Sequence, residues 1–266
     1  MTGAGAPQPL ALITGASSGI GEACARRFAA EGYRVALMAR SADKVARLAD
    51  ELGEGAVACP CDAADGDAVL ARIAEIREAH GPIDVVVNSA GSGAWKRVEE
   101  TPPSEALEMM GAPYQAAFNT SHAVLPDMLS RRRGVLIHVG SPASLAPWPA
   151  SAGYAASRWA LRGLNEALNM DLHGTGVRSS HVVFGRVDSA YFSTNAHAEE
   201  RMPRIGGIVR TIPPSECANV ILRVAGKPRR EVYYPFMLRL NFWLFSVAPW
   251  LTRWLLRTTG HRLDPE

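Results

Sequence analysis

The chain alternates short apolar runs with longer segments in which apolar residues recur every three or four positions, from residue 10 to about residue 184. The short runs predict β-strands at 10–14, 34–39, 56–60, 83–88, 135–140 and 177–184. The periodic segments predict helices at 20–31, 41–52, 65–80, about 103–132, 151–172 and 213–225, with a last strand at 231–234. Alternating strands and helices are typical of βα units, whose right-handed crossovers build a parallel sheet.

This order of elements predicts an α/β fold, namely one doubly wound, Rossmann-type domain with a parallel sheet and helices on both faces. We expect residues 1–9 to be a flexible leader and residues 10–235 to be the domain. The segment at about 186–212 is longer than compact folds usually allow for a connection, so we interpret it as a lid insertion. Residues 236–266 form an apolar and basic tail of the same domain, which is too often interrupted by polar residues to span a bilayer.

Charge and cysteine content narrow the classes of partner. The chain has 28 basic and 26 acidic side chains, far from the basic stripe that nucleic-acid binding needs. Only Cys59 and Cys61 of its four cysteines lie close together, and no histidine or second cysteine pair follows at ligand spacing. We therefore expect neither a disulfide framework nor a metal site. The leader lacks the regions of a secretory signal, so a cytoplasmic protein is expected.

A glycine-rich turn follows the first predicted strand. It reads Thr14-Gly15-Ala16-Ser17-Ser18-Gly19-Ile20-Gly21 and leads directly into a helix. Glycines allow a tight turn and a close approach of the backbone to a ligand, and the helix N-terminus offers free N–H groups to a pyrophosphate. The turn predicts dinucleotide binding, although a tight turn without a ligand would have the same glycines.

These glycines and four further motifs, in the same order along residues 10–190, resemble those of the short-chain dehydrogenase/reductase family. Asp62 is similar to the family's adenine contact, and the turn that starts at Asn88 is similar to its N-N-A-G turn. Ser141 ends the fifth strand, and Tyr154 opens a Y-x-x-x-R variant of the family's Y-x-x-x-K motif. The resemblance implies a cofactor site made of Gly15, Ser17, Ser18, Gly19, Ile20, Gly21, Arg40, Asp62, Asn88, Ala90, Tyr154, Arg158, Gly185, Val187 and Ser189.

The resemblance also implies that Ser141, Tyr154 and Arg158 are catalytic, and the chemistry of carbonyl reduction requires such groups. Reduction needs a hydride donor, a hydroxyl that orients the carbonyl oxygen and an acid that protonates the developing alkoxide. Residues 154 and 158 are four apart, so they share one helix face. A cation beside a phenol favours the phenolate form, which would let Tyr154 exchange a proton near neutral pH.

Three positions depart from the family's pattern. Arg158 replaces lysine and holds its protons more firmly, so it is a poor link in a proton chain. Pro113 stands where the family carries an asparagine that anchors a water molecule. Phe184 replaces the proline of a Pro-Gly pair beside the nicotinamide. These changes concern the proton relay and leave the expected fold intact.

The end of the second strand predicts the choice of cofactor. An acidic residue there would bind the ribose 2′-hydroxyl and repel a 2′-phosphate. The chain has Ala39-Arg40-Ser41 instead, and Arg40 can pair with a phosphate. We therefore expect NADP(H), with a solvated surface arginine as the alternative interpretation.

Several loop aromatics are expected to line a substrate pocket: Trp95, Trp148, Phe184, Tyr191 and Phe192. They predict a hydrophobic ketone, aldehyde or alcohol as substrate of an NADP(H)-dependent oxidoreductase with Tyr154 as general acid and base. The alternative is a dinucleotide-binding protein without hydride transfer. His138, inside an apolar strand, is interpreted as a core residue.

The tail and the assembly state leave several alternatives open. The tail could cap the substrate pocket, form a subunit contact or attach peripherally to a membrane, in which case the protein would be membrane-associated. A homodimer or homotetramer is expected.

Overall fold

The computed structural model describes residues 8–189, 198 and 200–260 of the 266-residue chain. Seven parallel strands form one sheet in the order β3-β2-β1-β4-β5-β6-β7. They are β1 (Leu10–Thr14), β2 (Arg34–Ala39), β3 (Ala56–Pro60), β4 (Val85–Asn88), β5 (Gly134–Gly140), β6 (Val177–Phe184) and β7 (Glu231–Tyr234). The strand order reverses between β1 and β4, which creates a crevice at the carboxyl ends of these strands.

Helices cover both faces of the sheet, so the predicted Rossmann-type fold is confirmed. The described helices are α1 (Gly19–Ala30), α2 (Ala42–Leu52), α3 (Gly66–His80), α4 (Pro103–Met110), α5 (Ala116–Arg131), α6 (Ala152–Asp171), α7 (Pro214–Gly226), α8 (Phe236–Val247) and α9 (Pro249–Thr259). Residues of α1, α2 and α7 pack on one face, and residues of α3, α5 and α6 pack on the other. Each face thus has its own apolar core.

The long helix expected at 103–132 is interrupted, and this part of the prediction was wrong. A π-helical turn, Gly111–Gln115, separates α4 from α5, and the buried Pro113 lies in its middle. Proline has no N–H to donate and its ring crowds the carbonyl four residues earlier, which disfavours the regular helical pattern at this position. The helix α5 nevertheless continues through a second proline, Pro126. Strand β4 also begins two residues later than expected, at Val85.

A layer of buried polar side chains lies under α5 and α6. His138 of β5 and His181 of β6 are register partners, and neither ring is exposed to solvent. The Nδ1 of His138 lies 3.2 Å from the Asn88 side-chain nitrogen, which agrees with the interpretation of His138 as a core residue. Neither ring nitrogen of His181 has a hydrogen-bond partner among the described residues.

The two ends of the predicted lid insertion are held together. Val187 and Ile212 form a parallel bridge, and the amide N–H of Asp188 donates to the carbonyl oxygen of Ile212 at 2.9 Å. A 3-10 turn, Arg204–Ile208, lies within the insertion, whereas residues 190–197 and 199 lie outside the described part of the chain. Residues 1–7 of the leader and 261–266 of the tail also lie outside it.

The tail folds into α8 and α9. Leu238 and Phe242 of α8 are buried and pack against Leu145 and Val183. Within the described residues, no helix is long and apolar enough to cross a membrane. The tail is therefore a helical pair that packs on the domain next to β6.

Candidate active site

The turn between β1 and α1 is a backbone cradle with no room for side chains. Gly15 has a φ of +66°, and a Cβ there would lie 2.9 Å from the backbone nitrogen of Ala90. A Cβ on Gly21 would collide with the carbonyl oxygen of Gly15. Ser18 precedes α1 without a side-chain cap, so the first N–H groups of the helix remain available to an anionic ligand.

Hydrogen bonds join this cradle to the turn after β4. Thr14 Oγ1 accepts from the backbone N–H groups of Ser89 and Ala90, both at 3.1 Å, and Ser89 Oγ donates to the Thr14 carbonyl at 2.7 Å. The two strand ends are therefore fixed relative to each other. A ligand that spans the crevice meets a preformed surface there.

Asn88, expected to contact the cofactor, lies behind this surface. Its side-chain oxygen accepts from Thr120 Oγ1 at 2.7 Å, and its nitrogen lies 3.2 Å from the His138 ring. Asn88 is not among the residues that line the cavity. Its amide is engaged within the core, where it braces the turn, and the expected cofactor contact stays a prediction.

Two cations lie at the end of the cavity beyond β2. Arg40 and Lys44 both line it, together with Ser41, and both are exposed. Lys44 lies in the first turn of α2, where a cation opposes the helix dipole. That unfavourable placement is a sequence signal for a ligand residue, although the predicted cofactor site did not include Lys44. At the neighbouring edge, the Asp62 carboxylate lines the cavity and accepts from the backbone N–H of Ala64 at 3.0 Å.

Ser141, Tyr154 and Arg158 line the same cavity and are all buried. Ser141 Oγ accepts from the backbone N–H of Ala143 at 3.3 Å, and the hydroxyl can still donate its own hydrogen. The guanidinium carbon of Arg158 lies 4.7 Å from the centroid of the Tyr154 ring, a cation–π contact. One guanidinium nitrogen also donates to the Ser92 carbonyl at 3.2 Å, so Arg158 is held against the ring face.

Room for this guanidinium depends on a glycine. A Cβ on Gly91 would lie 3.2 Å from Arg158 Nη2 and 3.3 Å from Nη1. The Nε of Arg158 is buried without a hydrogen-bond partner among the described residues. Buried arginine nitrogens usually have a partner, so this donor is an exception among the described residues.

Aromatic rings form one wall of the cavity. Trp95 and Trp148 meet edge to face with centroids 4.8 Å apart, and they lie 6.0 and 6.1 Å from the Tyr154 ring. Phe184 also lines the cavity. Tyr191 and Phe192, expected in the same pocket, lie outside the described residues.

One residue of the predicted lid insertion, Arg201, binds this wall. Arg201 donates to the Trp95 carbonyl at 2.8 Å and forms a two-pronged ion pair with Glu100. Hydrogen bonds from Arg201 lower the pKa of the exposed Glu100 carboxyl to about 2. The predicted cofactor residues Gly185, Val187 and Ser189 line the cavity. Further lid residues that line it are Arg186, Met202, Pro203, Gly206 and Val209.

The helical tail covers the remaining side, and only part of this was foreseen from the sequence. The cavity has a volume of about 990 Å³, near the upper end of the range for ligand pockets. Tail residues that line it are Leu238, Asn241, Phe242, Leu244, Thr252, Leu255 and Leu256. The tail thus occupies the pocket-capping position, one of the three expected alternatives.

The strand order reverses next to the backbone cradle, and a buried tyrosine and a buried serine lie beside it. This arrangement is that of a Rossmann-type nucleotide-binding oxidoreductase. The family model of the short chain dehydrogenases matches residues 9–200, more than half of the chain. The chain therefore belongs to the short-chain dehydrogenase family.

Three relatives illustrate this membership. The NADP-dependent 3-hydroxy acid dehydrogenase YdfG of Salmonella typhi is 33% identical over 70% of this chain and 75% of its own length. Serine 3-dehydrogenase of Agrobacterium fabrum is 30% identical over 82% of this chain and 88% of its own. A solved metagenomic short-chain oxidoreductase in complex with NADP is 30% identical, with a TM-score of 0.72 over 85% of this chain and 96% of that one.

Proposed function

We propose that this protein is an NADP(H)-dependent oxidoreductase that interconverts a hydrophobic ketone or aldehyde and its alcohol. The observation that carries the proposal is a single cavity lined by the glycine cradle, by Ser141 and Tyr154, and by an apolar wall. A nucleotide and a small apolar substrate that share this cavity would meet at the serine and the tyrosine.

The residues of this chain fit NADP(H). The cradle accommodates backbone approach only, which suits a pyrophosphate at the N-terminus of α1. Ala39 leaves the end of β2 without a carboxylate, and Arg40 and Lys44 offer two cations to a 2′-phosphate. Arg158, which lines the cavity, would face the ribose hydroxyls. The relatives' names, which include NADP, support this assignment.

Catalysis in this proposal divides between the cofactor and two side chains. When bound, NADP(H) supplies or accepts the hydride. The Ser141 hydroxyl donates a hydrogen bond to the carbonyl oxygen and orients it. In reduction, Tyr154 gives its phenolic proton to the same oxygen, so hydride and proton together convert the carbonyl to an alcohol; oxidation reverses both transfers. Arg158, stacked on the ring, stabilises the phenolate that remains.

The substrate class follows from the walls of the cavity. Trp95, Trp148 and Phe184 face it from the strand ends, and apolar tail residues such as Leu255 close it. The two curated relatives are named for a 3-hydroxy acid and for serine. The apolar walls of this chain favour a less polar carbonyl or alcohol, because a desolvated carboxylate without a buried partner would bind poorly.

A single-turnover experiment tests the proposal. The protein loaded with NADPH is mixed with a panel of aliphatic, aromatic and cyclic carbonyls, with 3-oxo acids as the polar comparison, and the fluorescence of the reduced nicotinamide is followed. We expect decay with apolar carbonyls and formation of the corresponding alcohol. Stable binding without decay for every compound would contradict hydride transfer.

One observation favours a second candidate, a dinucleotide-binding protein without hydride transfer. Arg158 is stacked on the ring face of Tyr154, and Pro113 occupies a buried π-helical turn, so neither side chain extends a proton chain beyond the tyrosine. Retention of Ser141 and Tyr154 in the cavity supports the redox function, since binding alone needs neither. The same single-turnover experiment separates the two functions.

Assembly into a homodimer or homotetramer is also proposed. Phe118 of α5 and Trp159 and Met170 of α6 are exposed although they are large and apolar. Helices that present such residues commonly pack against a second copy. Sedimentation at micromolar concentration should give a dimer or a tetramer, and Trp159→Glu should shift it toward the monomer.

A further inference from the structure

The tail hairpin, which comprises α8, α9 and residues 236–260, is apolar on two opposite sides. Its inner side lines the cavity and includes Phe242 of α8 and Leu255 of α9. Its outer side carries large side chains that stay in solvent: Phe236 is 72% exposed, Trp243 61% and Trp250 71%. An apolar helix face is normally covered by another element, so the outer side lacks its cover in the isolated chain.

These exposed residues form continuous stripes. On α8 they are spaced four, three and four residues apart and lie on one helix face: Phe236, Leu240, Trp243 and Val247. On α9, Trp250 and Trp254 are four apart and both exposed. Five of these six side chains are more than half exposed and the sixth, Leu240, is 49% exposed, which is unusual for scattered surface apolar residues.

Charge on the hairpin has one sign. Residues 236–260 include three arginines and no aspartate or glutamate. Arg239, Arg253 and Arg257 are all exposed, and they flank the aromatic stripes. The guanidinium of Arg253 also lies over the Phe245 ring, 5.7 Å from its centroid. An apolar stripe of Trp, Phe and Leu flanked by cations matches the boundary between acyl chains and anionic headgroups.

We propose that the outer side of the tail hairpin docks on an anionic phospholipid surface, with both helices parallel to the membrane. The helices have 12 and 11 residues, about 18 and 16 Å long at the usual rise, which is too short to span a hydrocarbon core of about 30 Å. The same two helices line the cavity, so the docked protein would hold its substrate pocket next to the bilayer.

A second copy of the chain fits this surface less well. A two-fold contact through the outer side would bring the arginines of two hairpins together, and residues 236–260 offer no carboxylate to neutralise them. An anionic lipid surface neutralises all of them. The docking surface is therefore assigned to lipid, and self-association becomes an outcome of the test.

Flotation of the purified full chain with vesicles tests the docking. Vesicles of phosphatidylcholine alone are compared with vesicles that contain phosphatidylglycerol, at low and at high salt. We expect co-flotation with the anionic vesicles, weaker at high salt but not abolished, because the apolar contact is not screened. No co-flotation with either composition at low salt would overturn the proposal.

Matched variants separate the electrostatic contribution of the arginines to lipid binding from the contribution of the apolar side chains. Each arginine near an anionic surface is worth roughly fivefold in partition, so changing Arg239, Arg253 and Arg257 together to Gln should weaken binding on the order of 100-fold. The same number of changes at exposed arginines elsewhere, Arg47, Arg178 and Arg229, is the control for net charge. Equal losses in both triple variants would show that general charge, not the hairpin, binds lipid, and would overturn the proposal.

The apolar contribution is tested in the same way. Trp243→Gln with Trp250→Gln should abolish the salt-resistant binding, whereas Val98→Gln with Leu107→Gln, at positions 73% and 74% exposed, should leave it unchanged. Urea midpoints of all variants near the wild-type value show that each is folded.

Two further measurements test how deeply the hairpin enters the bilayer and whether its outer side binds a second copy of the chain. Lipids brominated on the acyl chain should quench the wild-type tryptophan fluorescence. Changing Trp243, Trp250 and Trp254 to Phe should keep vesicle binding and remove most of the quenching, although Trp95, Trp148 and Trp159 remain. Unaltered quenching would overturn the proposal. A lower sedimentation mass in the Trp243→Gln, Trp250→Gln variant without vesicles would assign the surface to a second copy and would also overturn it.

Discussion

Acidification from about pH 7.5 to about pH 5.0 should destabilise this protein through two histidines that form one buried layer. His138 and His181 are register partners on β5 and β6, and both are fully buried. Burial lowers the pKa of His138 to about 3, and it lowers the pKa of His181 to about 4. Both rings are therefore neutral in the native protein throughout this range.

The size of the effect follows from linkage between protonation and folding. In the unfolded chain a histidine has a pKa of about 6.5. As the pH falls below that value, the unfolded state takes up protons that the native state cannot, so the free energy of unfolding decreases until the native pKa is reached. At about pH 5.0 each histidine should cost about 2 kcal/mol, and the pair about 4 kcal/mol, relative to about pH 7.5.

Urea unfolding followed by tryptophan fluorescence at both pH values measures this loss. His138→Gln can still accept from Asn88, and His181→Leu removes a ring whose nitrogens have no partner among the described residues. Each variant should lose about 2 kcal/mol less than the wild type on acidification. The exposed His122, changed to Gln, should leave the acid loss as it is in the wild type. An acid loss that is equal in all four proteins would refute the reasoning.

Three further outcomes are expected. Gly21→Ala places a Cβ against the Gly15 carbonyl, so titration calorimetry should detect no NADPH binding even where circular dichroism shows a folded protein. Ala39→Asp puts a carboxylate at the end of β2 and should move the ratio of NADPH to NADH affinity toward NADH by roughly tenfold or more, the effect of one charged contact. An unchanged ratio would show that Arg40 does not belong to a phosphate site. Arg158→Lys should keep or raise the single-turnover rate, since an ammonium can both stabilise a phenolate and pass on a proton; a large loss would mean that stacking of the guanidinium is itself required.

The sheet was largely predictable because most of its strands are buried. The bounds of β1, β2, β3, β6 and β7 agree with the expected ones. For β1 and β2 the reason is a continuous apolar run that ends at a glycine or polar turn. Pro113 marks the limit of this reasoning. Periodicity continues through residues 103–132, and the sequence pattern does not show whether a proline bends a helix or converts one turn to the π form.

The candidate site was predictable where a strand end fixes a side chain. Ser141 and Tyr154 line the cavity as expected, because β5 and α6 deliver them to the carboxyl edge of the sheet. Asn88 does not line the cavity, because its side-chain amide bonds to Thr120 and lies beside His138 in the core. The motif gave no sign of these core hydrogen bonds. The orientation of the tail could not be derived from the sequence, because helices that are apolar on two sides give no preferred direction of burial.

Single-turnover hydride transfer by Tyr154→Phe is the most direct measurement of the proposed chemistry. On a carbonyl that the wild type reduces, this variant should oxidise bound NADPH roughly 10²- to 10⁴-fold more slowly, because a positioned general acid contributes that much. Its NADPH affinity should stay close to that of the wild type. Tyr33→Phe, which removes a phenol packed on Phe28 away from the cavity, serves as the matched control and should react at the wild-type rate. A wild-type rate in Tyr154→Phe would contradict the reductase mechanism and leave dinucleotide binding without hydride transfer as the function of this cavity.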